Sequence, residues 1–581
     1  MCSIGLYTAT DQPVTAVRAA MGRVSGIDLL VRSGSDLSSP EAVSGFVEQL
    51  TERDVAVFWL HGSESRLPDF EAVREQVDEA GVPVVVARSG SADGGVDSTV
   101  PHAVQATVQG YLNRGGVLNM ANLARFLATA FGEGEWPHDE PVDLPETGVY
   151  HPDHPGASVE DLRSSFEPDR PTVGIWFYET HWTFENTRYV DALVRALEAQ
   201  GVDAFPVFTT PTADPDERDA EWVARNWFAG RVDAVLSTFM YSLTMDERGR
   251  SASEPTDPTT EGFLSELDVP VVQAMVSMRP REAYHADDAG LPPFELALSV
   301  ALPELDGVIV SHPISGKERA PSVDTGGDGT EPLLHRPIED RVDHAAGLVA
   351  NWARLGRASA PEKRVAVVLH NYPPSDDGIG TAFGLDTPAS LDRLLDRLAA
   401  RGYRIENRPE TGQAIVESLV EQLTHDQRWT DPEAGTSGVA QVDPATYRDW
   451  FAALDSELQQ AVREEWGYPP AEPIAVPGVD LGDVLVTVQP PRGFEADPSK
   501  VYHDSALQPP HEYVAAYSWL REAFGADAVV HLGTHGSLEW LPGKTVGLDA
   551  ASAPDGLLGD VPNVYPYIVN NPGEGPQATR R

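Results

Sequence analysis

The sequence predicts a multi-domain α/β fold built from several parallel sheets. Three observations carry this expectation: short β-branched runs, amphipathic stretches of helical spacing between them, and glycines where that spacing stops. The candidate strands are VAVFWL (55–60), VPVVVA (82–87), TVGIWF (172–177), VDAVLST (232–238), VPVVQAM (269–275), GVIV (307–310), RVAVVLH (364–370), DVLVTV (483–488) and DAVVHL (527–532). They are apolar on consecutive residues, as parallel strands covered on both faces require.

Two segments show the repeating unit. After TVGIWF, the spacing of Val190, Leu193, Val194 and Leu197 predicts a helix face, and Gly201 supplies the stop. After RVAVVLH, Thr387 and Pro388 read as N-cap and first helical residue, Leu391, Leu394, Leu395 and Leu398 as the buried stripe, and Gly402 as the end. Strand, loop, helix and glycine in that order make half a βαβ unit, so each domain is expected to be Rossmann-like or flavodoxin-like.

A chain of 581 residues predicts about three or four domains. The polar stretches 132–156 and 315–332 read as linkers. They place one α/β domain at 1–140, a second at 165–345, and a third opening near 361. The third runs to residue 581 and reads as incomplete, because NNPGEGPQATRR follows PNVYPYIVNN with no strand or helix expected after it. Such an ending fits a C-terminal tail or a chain cut within a larger protein.

Composition narrows the function. Lys plus Arg number 42 against 90 Asp plus Glu, a formal charge of −48. A surface this acidic repels polyanions, which argues against nucleic acid and anionic membrane as partners. Only four residues are lysine, and mean hydropathy is −0.27, a balance that resembles salt-adapted, halophilic proteins. The single cysteine, Cys2, excludes an internal disulfide framework and a cysteine-based zinc cluster. The N-terminus lacks a basic region followed by an apolar core, and no run of about 18 apolar residues occurs, so a soluble, cytoplasmic protein is expected.

The densest chemistry lies in DAVVHLGTHGSLEWLPGKT (527–545). A buried-type strand delivers His531 at its carboxyl end, where open α/β sheets bind ligands, and a glycine-rich turn then carries His535, Glu539 and Lys544. Taken singly, a strand-end histidine is usually just hydrogen-bonded to backbone, and Glu539 could open a surface helix; the crowding of all four favours a site. His370 and Asn371, at another strand end, and His503 and His511 are secondary candidates, each with an equally good structural reading. PGKT (542–545) is no Walker A loop, because position 538 is Leu where glycine is needed. Gly378, Gly380 and Gly384 miss the dinucleotide-binding spacing, and no HExxH zinc motif occurs.

HLGTHGSLEWLPGK (531–544), with PDGLLGDVPNVYPYIVNNPGEGPQATRR after it, closely resembles the core signature of cobaltochelatase large subunits of the CobN type and of the H-type subunits of magnesium chelatase. QPPRGFEADPSKVYHD (489–504), the stretch 369–403 and YLNRGGVLNMANLARFL (111–127) extend the resemblance over most of the chain. The Trp540, Leu541, Pro542 wording looks more like the cobalt enzyme. The resemblance implies ATP-dependent insertion of Co²⁺ into a corrinoid precursor of the hydrogenobyrinate a,c-diamide type. This chain would hold tetrapyrrole and metal, and separate AAA+ motor and accessory subunits would hydrolyse ATP. Family members are about twice as long, so the chain resembles their N-terminal half. The alternatives are an H-type magnesium chelatase subunit acting on protoporphyrin IX with Mg²⁺, or a non-catalytic tetrapyrrole or metal carrier; a multi-domain α/β interaction protein is a third.

Metal insertion itself asks for a base to take ring N–H protons and a transient ligand set to receive an ion shedding water. Imidazole and carboxylate suit borderline Co²⁺, whereas an all-oxygen site favours Mg²⁺. His531, His535 and Glu539 are therefore the expected catalytic and metal-presenting residues, with Glu539 as the base. Arg492 or Lys544 would pair with substrate carboxylates, and His503, His511, His370 and Asn371 complete the expected substrate-binding set.

Overall fold

The computed structural model describes residues 2–61, 67–89, 98–211, 218–244, 262–319, 333–371, 379, 384–422, 438–493, 504–533, 536–566 and 575–580. Strands β1 (Cys2–Thr8), β2 (Ile27–Ser33), β3 (Val55–Leu60) and β4 (Val84–Arg88) form a wholly parallel sheet in the order β2-β1-β3-β4. Helices Gln12–Met21 and Gly116–Phe131 cover one face, and Pro40–Leu50 and Phe70–Glu79 the other. β1 and β2 escape the strand expectation because CSIGLYT and IDLLVRS interleave polar residues with apolar ones. Cys2 is buried in β1 and free of any disulfide.

The second sheet has seven strands, β5 (Gly148–Val149), β6 (Thr172–Tyr178), β7 (Asp203–Thr209), β8 (Ala234–Ser237), β9 (Val271–Val276), β10 (Ile309–Arg319) and β11 (Leu333–Pro337), in the order β11-β10-β9-β8-β6-β7-β5. Its middle is parallel, and β5 and β11 are antiparallel edges. β7 carries Pro206, which argues against a strand on sequence grounds. It survives beside an edge because β5 is only two residues long and pairs with Val207 and Phe208, leaving the Pro206 carbonyl to Tyr150 N–H at 3.0 Å.

The helix expected after β6 spans Arg188–Ala199, with Val190, Leu193, Val194 and Leu197 fully buried and Gly201 at φ +73° behind it. Helix Glu339–Arg357 packs beside it through Val342, Ala346, Val349 and Ala353.

The third sheet is laid out β15-β16-β12-β17-β18, from β12 (Val365–Leu369), β15 (Val479–Asp480), β16 (Val484–Val488), β17 (Ala528–Leu532) and β18 (Asn563–Val564). All but β15 run parallel. A two-stranded antiparallel sheet of β13 (Ala440–Val442) and β14 (Ile474–Val476) stands apart from it. Helix Thr387–Ala400 buries Leu391 and Leu395 on this sheet. Its N-cap is Asp386 rather than Thr387, since the Asp386 carboxylate accepts the Ala389 N–H at 3.0 Å.

Both expected linkers carry structure. The segment from 132 is pinned to the first unit, where the Asn119 side chain exchanges two hydrogen bonds with Val142, at 2.8 and 2.9 Å, before β5 enters the second sheet. Residues 315–319 continue β10, which pairs antiparallel with β11, so this stretch is a connection within one sheet; residues 320–332 lie outside the described set. Near the C-terminus, where no element was expected, residues Gly575–Arg580 are helical, and Arg580 pairs with Glu304 at 2.6 Å.

The second and third units meet closely. Tyr284 O–H lies 3.0 Å from the carbonyls of both Gly547 and Leu548, and Asn351 donates to Asp560 O at 3.0 Å. No helix among the described residues is long and apolar enough to cross a membrane.

Candidate metal and tetrapyrrole site

The carboxyl ends of β12, β16 and β17 converge. Val368 pairs with His531 in register, His370 N–H donates to Leu532 O at 3.1 Å, and Gln489 N–H donates to Leu369 O at 2.9 Å. These bonds bring His370, Gln489 and His531 to one edge of the sheet. The chain then turns at Gly533, φ +158°, where a Cβ would come within 2.5–2.7 Å of the His370 ring. The glycine lets the turn pass directly over that imidazole.

His531 is held at both nitrogens. Its Nδ1 lies 2.8 Å from Asn563 Oδ1, which needs a donor, so the proton sits on Nδ1 and Nε2 accepts Tyr517 O–H at 2.9 Å. Gln489 supports this from behind, donating to Tyr517 Oη at 3.0 Å and accepting Ser537 N–H at 2.7 Å. Burial lowers the His531 pKa to about 4, against the opposing hydrogen bond from Asn563. The ring is thus a neutral, fixed imidazole.

Glu539 follows in a short 3₁₀ turn, Leu538–Trp540, and is buried instead of opening a surface helix. Its Oε1 accepts Tyr565 O–H at 2.9 Å and Gly536 N–H at 3.1 Å. Tyr565 also packs at a tilt against both histidines, with ring centroids 5.4 Å from His370 and 5.8 Å from His531. The buried His370, His531 and Glu539 and the half-buried Tyr565 therefore form one group.

Beside it lies a cavity of about 590 Å³ between the second and third units. Leu538, Asn563 and Tyr565 line one wall; His312, His344 and Asp555 line another. Asp555 Oδ1 lies 3.2 Å from Nε2 of both histidines, and its Oδ2 accepts from the buried Arg341 at 2.7 Å. Burial alone would raise the Asp555 pKa, but His312, His344 and the guanidinium together hold it below the ordinary carboxylate value. Burial pushes His312 down to about 3.

The other expected residues are placed elsewhere. Lys544 Nζ is used at 3.1 Å by His285 O, 2.9 Å by Asp287 O and 3.2 Å by Asp549, which fastens the loop to the second unit. Arg492 donates to the carbonyls of Asp504 and Leu507 at 2.6 and 2.7 Å. His511 lies between Tyr447 O–H at 2.7 Å and Gly467 O at 3.1 Å. Asn371 sits at the end of β12 in a bridge to Ile379. His503 and His535 lie outside the described residues.

The family model for CobN/Magnesium Chelatase matches residues 109–581. The chain belongs to the CobN/magnesium chelatase family. It is 39% identical over 477 residues to the aerobic cobaltochelatase subunit CobN of Pseudomonas aeruginosa, covering 81% of this chain and 37% of that protein. Against the H-type magnesium-chelatase subunit of Rhodobacter capsulatus, identity is 30% over 484 residues, covering 80% and 39%. Among solved structures, the catalytic subunit of cobaltochelatase from Mycobacterium tuberculosis superposes with a TM-score of 0.77 at 32% identity, covering 100% of this chain and 47% of that one. The chain thus spans less than half the length of these CobN/magnesium chelatase family proteins.

Sequence reasoning missed Gln489, Tyr517, Asn563 and Tyr565, which orient the core, and all of His312, Arg341, His344 and Asp555. The one available signal was His312, two residues beyond the candidate strand GVIV, in the same strand-end position that marked His370 and His531.

The buried histidines set a pH dependence for this member of the CobN/magnesium chelatase family. Burial depresses His181 and His531 to about 4 and His312 to about 3. A depressed imidazole stabilises the fold above its unfolded pKa of about 6.5, and that contribution is lost as pH falls toward the folded value. Over the whole window this represents about 3 kcal/mol for His181 and for His531 and about 5 kcal/mol for His312. The denaturant midpoint should therefore drop between about pH 7 and about pH 5. A midpoint that is flat or rises across that interval would show the rings to be solvated.

Proposed function

We propose that this chain is the tetrapyrrole- and metal-binding portion of an ATP-dependent cobaltochelatase that inserts Co²⁺ into a corrinoid precursor. The observation that carries the reading is the group of His370, His531, Glu539 and Tyr565 at the strand ends, beside a cavity of about 590 Å³. Glu539 is the base that takes ring N–H protons, and Tyr565 O–H fixes the carboxylate that receives them. His531, with both nitrogens engaged, holds the group in place rather than coordinating the ion. His535 keeps its role as a metal-presenting ligand from the same turn.

In this reading, ATP is hydrolysed by separate AAA+ motor subunits, in keeping with the missing Walker A glycine at Leu538. Cobalt is favoured over magnesium by the imidazole content of the site and by the 39% identity to the CobN relative against 30% to the magnesium relative. The magnesium reading is kept as the runner-up by that same 30%, which extends over 80% of the chain.

Titration of the chain with a metal-free corrinoid or porphyrin, followed by quenching of tryptophan fluorescence, tests the binding role. Saturable binding of one macrocycle per chain is expected, and no binding of either macrocycle would leave an α/β interaction protein as the better reading.

A further inference from the structure

His312 sits in β10 at the register shift between Val310 and Pro313, His344 projects from helix Glu339–Arg357, and Asp555 comes from helix Ala553–Leu558 of the next unit. Three distant pieces of chain thus place two imidazoles and one carboxylate on one cavity wall. Their ligand atoms all lie within 4.8 Å of one another. The two edges through Asp555 Oδ1 measure 3.2 Å each. That matches the spacing of roughly 3.3 Å which metal–ligand bonds of ~2.0–2.1 Å subtend at a tetrahedral ion.

The supporting contacts also suit an ion. Arg341 occupies Asp555 Oδ2 and leaves Oδ1 turned toward the histidines, the way partners beyond the ligands fix a liganding carboxylate. The two rings stand nearly perpendicular, at 85° with centroids 4.5 Å apart, so they converge on one point instead of stacking. A structural reading, a buried ion pair bridging two units, explains Arg341 and Asp555; it does not explain why two imidazoles share the second oxygen.

We propose that His312, His344 and Asp555 form a labile binding site for a borderline divalent transition ion, in the cavity that Tyr565 also lines. Two nitrogens and one oxygen select Co²⁺ or Zn²⁺ over Mg²⁺. Three protein ligands leave a coordination position open to the cavity. The Arg341 charge, one bond behind the carboxylate, weakens the hold on a dication and makes the ion exchangeable. Delivery of that ion to a macrocycle rests on the chelatase reading; binding of the ion does not.

The test is a Co²⁺ titration of the full chain, without tetrapyrrole or partner subunits, read by visible d–d absorption and calorimetry. One Co²⁺ per chain that depends on His312 and His344 is expected, displaced by Zn²⁺ and not by Mg²⁺. His312→Gln and His344→Ala should each weaken it by about 100-fold or more, and Glu539→Gln should leave it within about threefold. His344 lies nearer the surface than His312, and near-ultraviolet circular dichroism verifies that both variants are folded. Equal Co²⁺ affinity in wild type and both folded variants, or displacement by Mg²⁺ as readily as by Zn²⁺, overturns the proposal. If the ion binds as described and no macrocycle does, this site stands and the chelatase reading fails; macrocycle binding without ion binding gives the reverse.

Discussion

Glu539→Gln is expected to abolish metal insertion by the assembled chelatase while leaving macrocycle affinity within about threefold. The substitution keeps the size of the side chain and its ability to accept from Tyr565 O–H and Gly536 N–H through Oε1. It removes the one property the proposed mechanism needs, a carboxylate that can take a proton. A positioned base contributes roughly 10²–10⁴-fold, so a loss of at least about 100-fold in turnover is the expected size. Tyr565→Phe deletes one hydrogen bond to the carboxylate and should cost less, roughly tenfold. Reconstituted insertion assays, with macrocycle binding measured in parallel, check both. Full turnover in Glu539→Gln would move the base elsewhere.

The second large effect falls on stability. Asp555→Ala should destabilise the chain by about 3 kcal/mol, since it leaves the buried Arg341 guanidinium without its 2.7 Å partner. Arg341 retains Asp340, at 2.9 Å, which holds the expected loss near the low end for a broken buried pair. Replacing both residues with apolar ones of similar size, Arg341→Met with Asp555→Leu, should recover most of the loss, because neither buried charge then remains. Denaturant unfolding of the two variants measures this. A change below about 1 kcal/mol in Asp555→Ala would show that the contact between the units is hydrated.

What was legible in the sequence follows from how local each signal is. β12, β16 and β17 announce themselves as continuous β-branched runs, and the His531 to Glu539 text sits at the end of one of them. β7 was hidden by Pro206, and β1 and β2 by polar residues scattered through them. Glu539 could be noticed but not placed: its burial and the Tyr565 bond, formed across 26 residues, show it turned inward. Lys544 and Arg492 were expected to meet a substrate because unpaired basic residues near a motif invite that reading. Both find carbonyl oxygens instead, Lys544 in the unit before it. Beyond the strand-end position of His312, the His312, His344 and Asp555 group was not legible, because its geometry exists only once the second and third units dock through Tyr284 and Asn351.

The proposed role of the chain is in cobalt insertion. It is tested most directly by supplying the assembled complex with ATP and either Co²⁺ with a metal-free corrinoid or Mg²⁺ with protoporphyrin IX, and following the absorption of the metallated product. ATP-dependent insertion is expected with the cobalt and corrinoid pair and none with the magnesium and porphyrin pair. Insertion of magnesium into the porphyrin, with the corrinoid left metal-free, would contradict it.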